Sequence, residues 1–294
     1  MQHITISATF ILCVAFLCWL SPATAEAQTL TSRSATANSY LERGKDWYAK
    51  GEWERALADF DLAIAADPTN AIAYYNRGCI RQDKGDWDAA ILDYNRAIEL
   101  NQHYAEAFTN RGNAWTDKGE LDKALADYDQ AIKLNPRLPL PYYNRGNALK
   151  ARGDLDAAIA DYNQAIELAP RHAQALNNRG LARLSNQDFN GAIADFDRAI
   201  RFNPRSEADY LNNRGVARLR KKDLNGASAD FDRALKLNPR LANAYFNRGA
   251  VRLLQGDEAT AQKDFEQCRA LNPDIKPRLE QLIKEVRQQL IAKP

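Results

Sequence analysis

Between Ala71 and Tyr104 the apolar residues fall into two helical stripes. Ala71–Lys84 sets Tyr74, Gly78 and Ile80 near helical spacing. The following stretch sets Ala90, Ile91, Tyr94, Ala97 and Ile98 at i, i+1, i+4, i+7 and i+8, a face wide enough to bury. Gly85-Asp86 interrupts the two, and Asp86 or Asp88 is placed to cap the second helix, as are Asp154 and Asp223 farther along. The expected unit is a pair of antiparallel helices sharing one apolar seam.

That unit recurs. Asn76-Arg77-Gly78 returns at Asn110-Arg111-Gly112, Asn144-Arg145-Gly146, Asn178-Arg179-Gly180, Asn213-Arg214-Gly215 and Asn247-Arg248-Gly249, with a diverged first copy at Glu42-Arg43-Gly44. The glycines are 34 residues apart except for one interval of 35, between Gly180 and Gly215. Twelve residues after each glycine stands Ala56, Ala90, Ala124, Ala158, Ala192, Ala227 or Ala261, and four later an aromatic: Phe60, Tyr94, Tyr128, Tyr162, Phe196, Phe231, Phe265. Proline closes every copy but the second, which has Gln102. A fixed period of this length specifies a solenoid in which each unit packs on its neighbours.

These shared positions resemble the tetratricopeptide repeat family over roughly residues 37–275. The resemblance implies an all-α, right-handed superhelical solenoid of helix-turn-helix units. The expected divisions are an export signal at 1–27, a flexible leader at 28–36, repeats at 37–70, 71–104, 105–138, 139–172, 173–207, 208–241 and 242–275, and a capping helix at 276–294. In the last, Leu279, Leu282, Ile283, Val286 and Leu290 make an apolar stripe that shields the final repeat.

The first stretch is unlike the rest. Ile4–Leu20 is apolar, and Ala23-Thr24-Ala25 and Ala25-Glu26-Ala27 are A-x-A sites, so removal of a signal segment after Ala25 or Ala27 is expected. An uncleaved N-terminal anchor is the alternative. Neither Cys13 nor Cys18 follows a small residue, so lipidation is not expected. The remaining Cys79 and Cys268 lie five repeats apart, too far to bridge in a solenoid, which suggests a bacterial periplasm or secretion without a disulfide framework.

Composition excludes little else. Apolar and charged fractions of 45% and 27% are ordinary, and a net charge of +2 gives no reason to expect nucleic acid. No metal-ligand cluster, phosphate loop or nucleophile elbow appears, so neither enzyme activity nor a cofactor is expected.

Two ladders remain as candidate chemistry. Each repeat's Arg (Arg43, Arg77, Arg111, Arg145, Arg179, Arg214, Arg248) is matched 16 residues later by an Asp (Asp59, Asp93, Asp127, Asp161, Asp195, Asp230, Asp264). This reads as an ion pair within each repeat, against the alternative of an arginine ladder for anions. The asparagines Asn76, Asn110, Asn144, Asn178, Asn213 and Asn247 occupy a slot that, by the resemblance, faces the concave groove. There they would be exposed and would offer donor and acceptor to a peptide main chain; the alternative is hydrogen bonding within their own helix. The early groove offers Gln82, Asp83, Thr116 and Asp117; the late groove offers Leu184, Leu219, Leu253 and Leu254 with Arg183, Arg218, Arg220 and Arg252, either an apolar, basic partner surface or ordinary packing. The function expected is an exported, non-enzymatic scaffold holding a partner segment. Structural self-association, or docking of a separate envelope enzyme as a regulatory subunit, are the alternatives.

Overall fold

The computed structural model describes residues 22–284 except 276, 278 and 282. Helices α1 (Pro22–Ala49) and α2 (Trp53–Ala66) form repeat one, α3 (Ala71–Asp83) and α4 (Trp87–Leu100) repeat two, α5 (Ala105–Asp117) and α6 (Leu121–Leu134) repeat three, and α7 (Pro139–Arg152) and α8 (Leu155–Leu168) repeat four. Repeats five to seven are α9 (Ala173–Ser185) with α10 (Phe189–Phe202), α11 (Glu207–Arg220) with α12 (Leu224–Leu237), and α13 (Ala242–Leu254) with α14 (Glu258–Leu271). Each helix packs on the next, and successive odd helices also touch one another. The odd helices therefore line the inner face, and the even helices fan apart on the outer one.

The seam is built as the pattern demands. The aromatic sixteen residues after each repeat glycine is buried on its even helix, with Tyr94, Tyr162, Phe60, Phe196 and Phe231 fully so, each worth about 1.5–3 kcal/mol of apolar transfer. The ring lies on the glycine of the odd helix. A Cβ at Gly146 would stand 2.8 Å from the Tyr162 ring, and one at Gly180 2.8 Å from that of Phe196. Only glycine admits this approach.

Helix ends follow local chemistry. The hairpin turns of repeats one to four and seven use Gly51, Gly85, Gly119, Gly153 and Gly256 at φ between +76° and +96°. Repeats five and six place Gln187 and Lys222 in that left-handed region, at φ 61° and 67°. Asp86 and Asp223 cap their helices by accepting from the backbone N–H groups of Ala89 and Gly226. Asp154 does not; its carboxylate takes the Arg152 guanidinium instead. Each repeat closes on an extended residue, such as Asp67 at φ −138° or Asn238 at φ −133°. Asn101 is extended at φ −139° although Gln102 replaces the proline, because its side-chain oxygen accepts from the His103 N–H. The extra residue is taken up where a short 3-10 turn, Pro204–Ser206, leads into α11.

Two outer segments differ from, or only partly reach, expectation. Residues 28–36 are not a flexible leader but continue α1. No Gly or Pro interrupts residues 23–43, and extending a helix already nucleated by the buried Ala37 and Leu41 costs little per residue. At the other end Leu279 is buried and Ile283 packs with it on Phe265 and Cys268, as a cap requires; Leu282, Val286 and Leu290 lie outside the described residues, as does the apolar run of the expected signal. Among the described residues no helix is long and apolar enough to cross a membrane. Neither Cys79 nor Cys268 forms a disulfide.

Candidate functional site

The Arg ladder is committed to the fold. In all seven repeats Nε and Nη2 of the arginine grip the two oxygens of its aspartate, as in Arg145 on Asp161 at 2.7 and 2.6 Å and Arg179 on Asp195 at 2.9 and 2.5 Å. The aspartates are almost wholly buried, so a matched bidentate fork is what keeps their charge tolerable. The reading as ion pairs stands. The third nitrogen does something the sequence reading missed: Nη1 reaches back to the preceding repeat. Arg77 bonds Asp61, Arg111 Asn95, Arg145 Asp129, Arg179 Asn163, Arg214 Asp197 and Arg248 Asp232. The signal was present, since an Asp or Asn recurs two residues after each paired aspartate in repeats one to six. Hydrogen bonds donated to Asp161 and Asp230 raise the pKa of Arg145 and Arg214 above the ordinary guanidinium value.

The Asn ladder lies on the odd helices, but its members are half-buried rather than exposed. Asn76 turns its amide back on the Ile72 carbonyl of its own helix. The others donate to the preceding repeat. Asn110 bonds the Tyr75 hydroxyl, Asn144 the Asn113 oxygen and Asn178 both Tyr143 and Asn147; Asn213 bonds Asn177 and Asn247 bonds Asn212. The amides therefore serve repeat-to-repeat packing, because an N–H group half-withdrawn from water needs an acceptor. What remains is acceptor chemistry. The side-chain oxygens of Asn110, Asn144 and Asn247 have no hydrogen-bond donor among the described residues, and they reach solvent.

Buried tyrosines feed the same floor. Tyr94 donates to Gln82, Tyr128 to Asn113 and Tyr162 to Asn147, each at 2.8 Å. Burial pushes all three phenols far above their usual pKa, so they remain donors.

The late groove is not an apolar, basic surface. Leu184, Leu219, Leu253 and Leu254 pack into the cores of their own repeats. Arg183, Arg218 and Arg252 are second partners of Asp195, Asp230 and Asp264, at 2.9, 2.9 and 2.8 Å. Only Arg220 of that set stays exposed. Packing and pairing claim these residues because they sit one helical turn beyond the glycine, against the aromatic ring.

Among the described residues no three His, Cys, Asp or Glu converge as a metal site. His103 is exposed; His172 caps α9 by accepting from the Ala175 N–H, and burial lowers its pKa.

Family models agree with the packing. Those described as TPR repeat match residues 44–85, 112–151 and 217–256, and those described as tetratricopeptide repeat match 71–104, 143–207 and 182–230, together most of the chain. The chain belongs to the tetratricopeptide repeat family. Solved tetratricopeptide structures share the fold at low identity. One, a tetratricopeptide repeat protein from Parabacteroides merdae, is 22% identical with a TM-score of 0.61 and covers 86% of this chain and 99% of its own. PilF of Pseudomonas aeruginosa is 16% identical at TM-score 0.66, covering 72% of this chain and 96% of its own. YrrB, described as a TPR protein with an unusual peptide-binding site, is 20% identical at TM-score 0.56, covering 66% and 97%. No curated protein matches the sequence.

Proposed function

We propose that this tetratricopeptide protein is an exported, non-enzymatic scaffold that holds an extended partner segment along its inner face. One observation carries the reading: Asn110, Asn144 and Asn247 hold solvent-reaching carbonyl oxygens that have no donor among the described residues, on a face where the helices themselves are already satisfied. An extended main chain presents a row of N–H donors that such oxygens accept, with little regard to its side chains. The fold class binds protein segments generally, and YrrB is described as having a peptide site. Export rests on the apolar run and A-x-A sites of residues 1–27.

A photo-crosslinking residue at the exposed Ala151 of α7 is expected to capture a partner in the native envelope, identified by mass spectrometry, while the same residue at exposed Gln164 on α8 captures none. Capture from Gln164 alone would move the site to the outer face. N-terminal sequencing of the mature protein is expected to begin at Glu26 or Gln28; retention of Met1 in the membrane fraction would make the segment an anchor.

A further inference from the structure

The groove carries one aromatic cluster twice, two repeats apart. Tyr75 on α3 faces Tyr104, at the entry to α5, with ring centroids 4.9 Å apart, and buried Tyr94 at 6.0 Å. Tyr143 on α7 takes the same place, with His172 at 4.8 Å and Tyr162 at 6.2 Å. In both, an asparagine of the next repeat bonds the tyrosine hydroxyl, Asn110 to Tyr75 at 3.0 Å and Asn178 to Tyr143 at 3.2 Å. The intervening repeat has the buried Thr109 instead.

Several other aromatic rings of the odd helices are capped by the chain's own cations. Arg43 lies over Tyr40, Arg77 over Tyr74, Arg145 over Tyr142 and Arg248 over Tyr245. Among the described residues none lies over Tyr75 or Tyr104.

The two clusters differ in charge. Beside the first stands Glu106, exposed and without hydrogen bond or ion pair among the described residues. Burial foremost, with the Glu106 carboxylate contributing, holds the Tyr75 and Tyr104 phenols protonated. The equivalent residue beside the second cluster is Gln174. The setting of the first has the same sign: residues 37–138 hold 13 Lys and Arg against 18 Asp and Glu, while residues 139–172, which carry the rings of the second, hold 4 against 4.

We propose that the Tyr75–Tyr104–Glu106 cluster seats a lysine or arginine side chain of the partner, so that the groove selects an extended segment that is basic where it crosses repeats two and three. The proposal rests on the groove reading above. The cation lies on the ring faces and ends at the Glu106 carboxylate, two contacts that reinforce one another. The second cluster, lacking the carboxylate, takes an uncharged apolar or aromatic side chain. Neighbouring helices pack at about 8–10 Å, which places the clusters about 20 Å apart along the groove. At about 3.3 Å per residue, an extended segment spans that in about six residues.

Fluorescence anisotropy tests this with two labelled decapeptides, one alternating serine with lysine and one alternating serine with glutamate. The lysine peptide is expected to bind about tenfold more tightly. Glu106→Gln should weaken it about 3–5-fold with the helical spectrum intact, and Gln174→Glu should strengthen it by a similar factor. Equal binding of the two peptides, no effect of Glu106→Gln, or no binding of the lysine peptide at all would overturn the proposal. Ala151→Trp separates the two readings. If it abolishes binding of whichever peptide is preferred, the groove is the site even where basic selection fails; if it changes nothing, both readings fall.

Discussion

In repeats two to four the ring beneath the glycine is a tyrosine whose hydroxyl leaves the core to meet Gln82, Asn113 or Asn147. In repeats five to seven it is Phe196, Phe231 or Phe265, and the slot that held Cys79, Asn113 and Asn147 holds Leu181, Val216 and Ala250. The asparagine ladder shifts to match. Where the tyrosines stand, Asn144 and Asn178 bond Asn113 and Asn147; where the phenylalanines stand, Asn213 and Asn247 bond Asn177 and Asn212 instead. A single hydroxyl thus decides the polarity of a residue on the other helix and the acceptor used by the next repeat, because no buried donor is left without a partner. The halves differ in charge pairing as well. Asp127 and Asp161 in repeats three and four have one arginine each; Asp195, Asp230 and Asp264 have two, as does Asp93.

The largest effect should come from this last contrast. Arg145→Ala leaves the buried Asp161 alone and is expected to cost about 3 kcal/mol, whereas Arg179→Ala leaves Asp195 with Arg183 and should cost about half as much. Urea unfolding measures both, and equal losses would show that the second arginine shares none of the burden. Next comes the hydroxyl. Phe196→Tyr pushes a phenol against Leu181 and is expected to cost about 1–3 kcal/mol, most of it restored by adding Leu181→Asn; Tyr162→Phe should lose about 1 kcal/mol. If the double substitution recovers nothing, the hydroxyl and the facing slot are not coupled. Smallest is the turn. Gln187→Gly and Lys222→Gly should each stabilise the fold by roughly 0.5–1 kcal/mol of relieved left-handed strain and raise its melting point, while Gly119→Gln should lower it. A fall on Gln187→Gly would mean that the chain entropy glycine adds to the unfolded state outweighs the relieved strain.

Much of this was legible because a period aligns every position with six copies of itself. The Arg–Asp forks could be read from a constant offset of 16 and one acid per base. The back-reaching Nη1 is not legible from one repeat alone, because its partner lies in the repeat before, although Asp61, Asn95, Asp129, Asn163, Asp197 and Asp232 recur with the period. The asparagines were placed on the correct helices, but not their commitments. Whether an amide is free depends on what the previous repeat puts 31 to 36 residues earlier, and that slot varies between phenol, amide and thiol. The late leucines looked like groove residues for the same reason: position within a helix is periodic, but burial depends on the ring beneath. The helical continuation of residues 28–36 has no periodic signature at all.

The backward reach of Nη1 also gives the chain a direction in time. From repeat two onward Nη1 of every ladder arginine, and from repeat three the amide of every ladder asparagine, donates to a partner that left the ribosome earlier, and Lys84 and Lys118 reach back in the same sense to Glu54 and Asp88. A newly emerged repeat brings its own donors to acceptors already in place, so the solenoid can lengthen one finished unit at a time. Trimming is correspondingly asymmetric. Loss of the last repeat frees carboxylates and amide oxygens that water hydrates readily, whereas loss of the first leaves a guanidinium arm on Arg77 with its far acceptor gone.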